Sequence, residues 1–274
     1  MNRSYKMLSA LLLCTLLAFC AAAYAAEVPA EDAAVALPEY TYEVAFENGI
    51  NAENAEDVDG VRTLGESGLS CGPYIDLMQG AYQVRVTGEN LTGMTYDVVS
   101  ISEDSSYVVY KQSHSDTELT YGFILSAPAS NMEVRFFNQG EEPVTLASCV
   151  IETTDVAELM AYSMTFGDGV HLQNGEDKDG VRYLYEQGLT YGPYLSLVPG
   201  IYDVTITGSN LQWALPKFTN QYGAQSYTLY NLQVTDTYIR YKIQVTELIQ
   251  EAEITVYNPI PEPIIIESIA IAMQ

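Results

Sequence analysis

The feature that most constrains this chain is a single offset. Setting residue n over residue n+120 without a gap lays "NAEDVDGVRTLGESGLSCGPY", from Asn54 to Tyr74, over "NGEDKDGVRYLYEQGLTYGPY", from Asn174 to Tyr194. The register persists through Gly80-x-Tyr82 and Gly200-x-Tyr202, then Thr87-Gly88-x-Asn90-Leu91 and Thr207-Gly208-x-Asn210-Leu211. It closes at Glu133/Glu253, Asn138/Asn258, Glu142-Pro143/Glu262-Pro263 and Ser148/Ser268. Solenoid repeats run ~20–50 residues, so a period of this length signals a duplicated domain with its own core rather than a stack of small units. The expected repeats span residues 40–154 and 162–274, with a short join at 155–161.

Inside each unit the pattern has the period of strands. "TYEVAF", "AYQVRVTG", "TYDVVSIS", "ELTYGFILS", "MEVRFFN" and "VTLASCVIE" are short, rich in β-branched and aromatic residues, and several alternate apolar with polar. Asn48-Gly49, Asp59-Gly60, Gly72-Pro73 and Gly88 punctuate them as turns do. The spacing predicts an all-β chain of two tandem β-sandwiches, jelly-roll-like, with helix only at the join and in the first residues.

Those first residues read as a targeting segment. Arg3 and Lys6 precede an apolar run from Met7 to Ala22, and Ala23-Tyr24-Ala25 offers a small-x-small cleavage pattern, so a signal peptide is expected over 1–25. A lipid anchor at Cys20 is the alternative, disfavoured by the bulk of Phe19. "EVPAEDAAVALPE" then reads as a flexible acidic linker, 26–39. No later stretch reaches the ~20 apolar residues of a membrane span. The expected protein is secreted, extracellular and not inserted in a membrane.

Charge narrows the partners. The chain has 11 Lys and Arg against 36 Asp and Glu, a net charge of −25, and the leader would remove Arg3 and Lys6 but no acid. Such a surface repels phosphate backbones, which argues against nucleic acid and leaves a neutral partner, a cation or another protein.

Three sets of repeated residues are candidate sites. The first is the acidic turn: Asp57, Asp59 and Glu66, and again Asp177, Asp179 and Glu186. Their spacing matches several ligand positions of an EF-hand loop, but Ala55 and Gly175 stand where that loop begins with Asp and the flanks are strands. A sandwich-type calcium site stays open; the simpler reading is an Asp-Gly turn between two strands. The second is Arg62/Arg182, the one basic position both repeats keep; its planar fork suits a ligand carboxylate or diol, or an internal pair with Glu66/Glu186 or Asp59/Asp179. The third is aromatic. With 22 Tyr against 7 Phe and 1 Trp, the chain has many rings that can carry a polar group to the surface. Tyr74/Tyr194 and Tyr82/Tyr202 are candidate sugar platforms or core residues, and Trp213, opposite Gly93 in the first repeat, is a platform candidate peculiar to the second.

Cys71 and Cys149 are both replaced in the second repeat, by Tyr191 and Ile269. Paired presence and paired loss suggest a disulfide in an exported protein, with two neighbouring buried thiols as the alternative. Nothing here has the pattern of an active site: His114 and His171 do not recur, and no nucleophile elbow or His-based metal cluster is present.

The hairpins "LMQGAYQV" and "LVPGIYDV", the Gly-Pro-Tyr strand before them and the closing "EVRFFNQGEEPVTLASCVIE" resemble the galactose-binding-like class of carbohydrate-binding jelly rolls in secreted bacterial proteins. The resemblance covers both repeats and implies a β-sandwich that binds glycan. The expected function is therefore a non-catalytic binding protein for a glycan or cell-surface polymer, in which two weak sites gain by avidity. Its competitor is a structural or adhesive spacer that contacts other extracellular proteins and has no small-ligand site.

Overall fold

A computed structural model describes residues 39–274 apart from 48–49, 165, 168–169 and 221–226. The expected leader, the Cys20 alternative and the linker up to residue 38 lie outside the described residues. The chain is all-β, two antiparallel sheets folded into two tandem sandwiches, and each sheet draws its strands from one repeat. In the first repeat these are β1 (Thr41–Glu43), β2 (Asn51–Val58), β3 (Val61–Leu77), β4 (Gly80–Glu89), β5 (Met94–Ser100), β6 (Ser105–Ser106), β7 (Val109–His114), β8 (Glu118–Leu125), β9 (Ala129–Asn138) and β10 (Val144–Thr154). The second repeat has β11 (Tyr162–Met164), β12 (His171–Lys178), β13 (Val181–Tyr191), β14 (Leu195–Leu197), β15 (Gly200–Ser209), β16 (Leu215–Asn220), β17 (Tyr227–Val234), β18 (Tyr238–Val245), β19 (Ile249–Tyr257) and β20 (Ile264–Met273). A single helical turn, α1 (Val156–Leu159), joins them, capped where the Asp155 side chain accepts from the Ala157 N–H at 2.8 Å.

One strand per repeat belongs to both layers of its sandwich. β3 starts beside β10, where Arg62 faces Leu146, and ends beside β9, where Leu69 faces Phe137. β13 does the same, Arg182 facing Ile266 and Leu189 facing Tyr257. A repeated asparagine holds the crossing open: Asn138 Nδ2 lies 2.9 Å from both Gly65 O and Glu142 O, and Asn258 Nδ2 lies 3.0 Å from both Tyr185 O and Glu262 O. The crossing leaves backbone carbonyls without strand partners, and the amide supplies the donors.

The Thr-Gly-x-Asn-Leu motif also has a steric cause. A Cβ on Gly88 would stand 1.7 Å from Thr145 O, and one on Gly208 1.9 Å from Ile265 O, so only glycine lets the strands meet. The next residue but one, Asn90 or Asn210, takes a left-handed conformation and donates to Pro143 O or Pro263 O at 2.9 Å.

Where a strand breaks its alternation, the repeats meet. In β4, Tyr82, Val84 and Val86 point to the first core as period two demands, yet Ala81 is buried as well. It lies in the second repeat's core cluster with Tyr110, Leu159 and Met160, and Val108 and Ile124 pack against that cluster. Gly122 is the seat of Leu159, whose Cδ2 would stand 2.3 Å from a Cβ there. The homologous residues of the second repeat are Ile201, Lys242 and Gln244, so its corresponding face is filled and polar. Among the described residues no helix is long and apolar enough to cross a membrane.

Candidate functional site

Arg62 and Arg182 are each 1% exposed and turned wholly inward. Arg182 donates from Nε and Nη2 to the two oxygens of Asp177 at 2.7 and 2.8 Å, from Nη1 to Thr190 Oγ1 and His171 O, and from Nη2 to Val170 O. All five N–H groups of the fork are occupied. Arg62 repeats the arrangement on Asp57, Ser70 Oγ and Phe46 O, with the Phe46 ring 5.5 Å beneath its guanidinium. The partner is therefore Asp57/Asp177, which corrects the expected Glu66/Glu186 or Asp59/Asp179. The cause is register: Asp59-Gly60 is a two-residue turn, so Val58 faces Val61 and Asp57 faces Arg62. The arginines staple each hairpin to its core and present no free fork outward. Hydrogen bonding to Arg62 holds the Asp57 carboxyl below the usual aspartate range.

The acidic turn is a hairpin turn. Asp59 and Gly60 have φ of 50° and 79°, and Asp179 and Gly180 54° and 78°, the paired positive φ of a type I′ connection. The Glu66 and Glu186 backbone carbonyls accept from Asn54 and Asn174 at 2.6 and 2.5 Å. The six acidic residues named from the sequence divide between the staple (Asp57, Asp177), the turn (Asp59, Asp179) and the crossing (Glu66, Glu186). Among the described residues no three His, Cys, Asp or Glu side chains come together as a metal would need.

Cys71 and Cys149 are free thiols, and the expected bridge is not formed. Cys71 lies between buried Ser70 and Gly72 on β3 and so faces away from the core, while Cys149 lies inside it. Burial pushes the Cys149 thiol up to about 12.

Tyr82 and Tyr202 are core residues whose hydroxyls reach Met78 O and Val198 O at 2.9 and 2.7 Å. The Gly-Pro-Tyr tyrosines behave differently. Both follow a cis Gly-Pro bond, and each has a glutamate that also recurs as an electrostatic neighbour, Tyr74 with Glu133 and Tyr194 with Glu253. Glu133 is 4% exposed on β9, and Tyr74 also accepts from Asn51 Nδ2 at 2.6 Å. Burial first and the neighbouring Glu133 second raise the Tyr74 pKa. Beside this pair a cavity of about 350 Å³ is lined by Ser100, Ser105, Ser106 and Asp104 with Glu133 and Arg135; Asp97 grips Arg135 through both oxygens.

In the second repeat the same place is aromatic and open. Tyr194 is 46% exposed. Where the first repeat pairs Asn51 with Cys71 across β2 and β3, the second pairs His171 with Tyr191 across β12 and β13. Those rings stack at 5.0 Å, and Tyr194 lies 5.9 Å from His171. Thr219 Oγ1 donates to Glu253 Oε2 at 3.2 Å, fixing the carboxylate that neighbours Tyr194. Tyr194 also lines a cleft of about 720 Å³ between the repeats, bounded by β7, β11 and β14. Trp213 is 55% exposed on a 3-10 turn, Leu211–Trp213, next to exposed Leu215; it does not line this cleft. The structure thus brings Tyr194 together with His171, Tyr191 and Glu253 and leaves Trp213 apart. Glu133/Glu253 had been visible as a repeated identity, but one acid among 36 does not stand out.

No protein-family profile matches this sequence, and no curated protein sequence matches it. Among solved structures the chain is similar to AerE from Microcystis aeruginosa at 11% identity, covering 85% of this chain and 97% of that one with a TM-score of 0.15. It is similar to vicilin from Capsicum annuum at 7% identity, covering 78% and 75%, with a TM-score of 0.11. Likenesses of this size carry no argument about fold or function.

Proposed function

We propose that the chain is an exported, non-catalytic binding protein for a glycan, and that its binding groups are the tyrosine–glutamate pairs behind the Gly-Pro bonds, Tyr194 with Glu253 foremost. One observation carries the reading: the second repeat exposes a tyrosine that neighbours a recurring glutamate, beside a stacked His–Tyr pair. An aromatic face suits the C–H side of a sugar ring, and a carboxylate oxygen accepts from its hydroxyls. The resemblance of the Gly-x-Tyr-x-Val hairpins to galactose-binding-like modules agrees with this. The first repeat has a closed, polar version of the same pair, so the two repeats would bind unequally.

The test is a glycan-array screen of the full chain, with calcium and with chelator, followed by Tyr194→Ala and Glu253→Gln. A charge-assisted hydrogen bond contributes about 1.5–3 kcal/mol, so Glu253→Gln should weaken binding roughly tenfold or more. A blank array from folded protein in both buffers would remove the glycan reading. It would leave the alternative of a structural or adhesive spacer, which one feature favours: β17 is an uncharged edge strand that exposes Leu229, Leu232 and Val234.

A further inference from the structure

We infer that the cleft between the repeats continues the Tyr194 site, so that a single linear, uncharged oligosaccharide lies across both repeats. This rests on the glycan reading and adds the class of sugar and its path.

The first argument is charge. In a chain of net charge −25, the described residues lining the cleft include no Asp or Glu. They include one cation, Lys111, and its Nζ is engaged at 2.7 Å by Glu158 O. What remains is hydroxyl, amide and apolar surface: Ser113 and Gln112 from the first repeat, Ser163, Ser196 and Leu195 from the second. A lining with no carboxylate and one tethered cation, inside an acidic molecule, suits an uncharged ligand with many hydroxyls. Repulsion from the surrounding acid disfavours uronic or other acidic sugars.

The second argument is shape. Five successive residues of β7, Val109 to Ser113, form one wall. β7 bulges at Lys111, so this stretch lies opposite only Phe123 to Thr120, and at about 3.3 Å per residue the wall runs roughly 10 Å, longer than one pyranose ring. The volume of about 720 Å³ falls within the ~300–1,000 Å³ of small-molecule sites, and Tyr194 is part of its lining.

The third argument is that the walls are already held. The Tyr162 hydroxyl donates to Ser196 O at 3.3 Å, tying β11 to β14, and Lys111 Nζ ties β7 to the joining turn at Glu158 O. Leu159 on Gly122 locks the same junction. A ligand entering a held cleft does not also have to order it.

The experiment is calorimetric titration of the full chain with glucose, maltohexaose, cellohexaose, xylohexaose, mannohexaose and hexagalacturonate. At least one neutral hexasaccharide should bind ten times or more tighter than its monosaccharide, and hexagalacturonate should bind more weakly than that. Ser113→Arg and Ser163→Arg fill the cleft from opposite walls at exposed positions. Each should return the hexasaccharide to monosaccharide affinity, while Tyr194→Ala should remove binding of both. Equal affinity for monosaccharide and hexasaccharide, or preference for hexagalacturonate, would overturn the path while leaving sugar binding intact. No binding of any sugar would overturn the glycan reading and this inference with it.

Discussion

Truncating Arg182 to alanine should cost the fold about 3–5 kcal/mol, the range for breaking a buried ion pair by removing one partner. The side chain is among the largest fully buried ones and holds Asp177, Thr190 Oγ1, His171 O and Val170 O together. Not all of these lose equally. The Asp177 side chain is 36% exposed and can be rehydrated, and Thr190 Oγ1 keeps a 3.2 Å bond to His171 O. The Val170 carbonyl loses a buried donor, worth about 1–3 kcal/mol, and the vacated volume adds a cavity penalty. Because Pro38–Gln274 is one compact unit, each kcal/mol should move the melting midpoint by about 2–4 °C, giving a total drop of roughly 6–20 °C. Circular-dichroism melts of Arg182→Ala, Asp177→Ala and the apolar double variant Arg182→Met/Asp177→Leu test this. Each alanine variant should be severely destabilised and the double variant partly restored, since methionine refills the volume and no charge is left unpaired while Val170 O still lacks its donor. A midpoint for Arg182→Ala within about 2 °C of the parent corresponds to less than ~1 kcal/mol and would refute the internal staple. Any loss of ligand binding in Arg182→Ala must be read against this loss of fold, which makes Tyr194 the cleaner probe.

Three further outcomes are expected. The Asp57 carboxyl, lowered by Arg62, contributes stability that is fully present above the ordinary aspartate pKa and is lost as pH falls through its lowered folded value. Urea midpoints should therefore decline on acidification below about pH 4, less steeply in Asp57→Asn. Gly122→Leu would drive a side chain into Leu159 and cost at least ~1–3 kcal/mol, with the junction loosened; small-angle scattering should show an extended molecule, and an unchanged profile would contradict the seat described here. Alkylation with peptide mapping at pH 8 should label Cys71 before Cys149, whose buried thiol reacts only on unfolding, and oxidant should not join them without unfolding.

How much of this was legible in the sequence varies with the range of the interaction. The strands and turns follow from period-two alternation and Asp-Gly chemistry, both local. The Arg–Asp staple was legible too: a two-residue turn at Asp59-Gly60 sets residue 57 opposite residue 62, and counting across the turn names the partner that spacing to Glu66 or Asp59 missed. The disulfide expectation failed on the same arithmetic, because Cys71 shares its strand face with neither Ser70 nor Gly72 and so looks outward. Glu253 and His171 were each visible as residues but meaningless alone; β12, β13 and β19 had to bring them to Tyr194.

By itself the sequence determined a duplicated all-β chain, its turns and its core stripes, because those depend on sterics and periodicity within a few residues. Only the tertiary structure decided that Ala81 and Gly122 face the second repeat rather than solvent, and that three strands bound a cleft free of carboxylates beside Tyr194. Both depend on how surfaces far apart in the chain pack together. The n+120 register pairs the repeats with each other residue by residue but does not encode how one sits on the other.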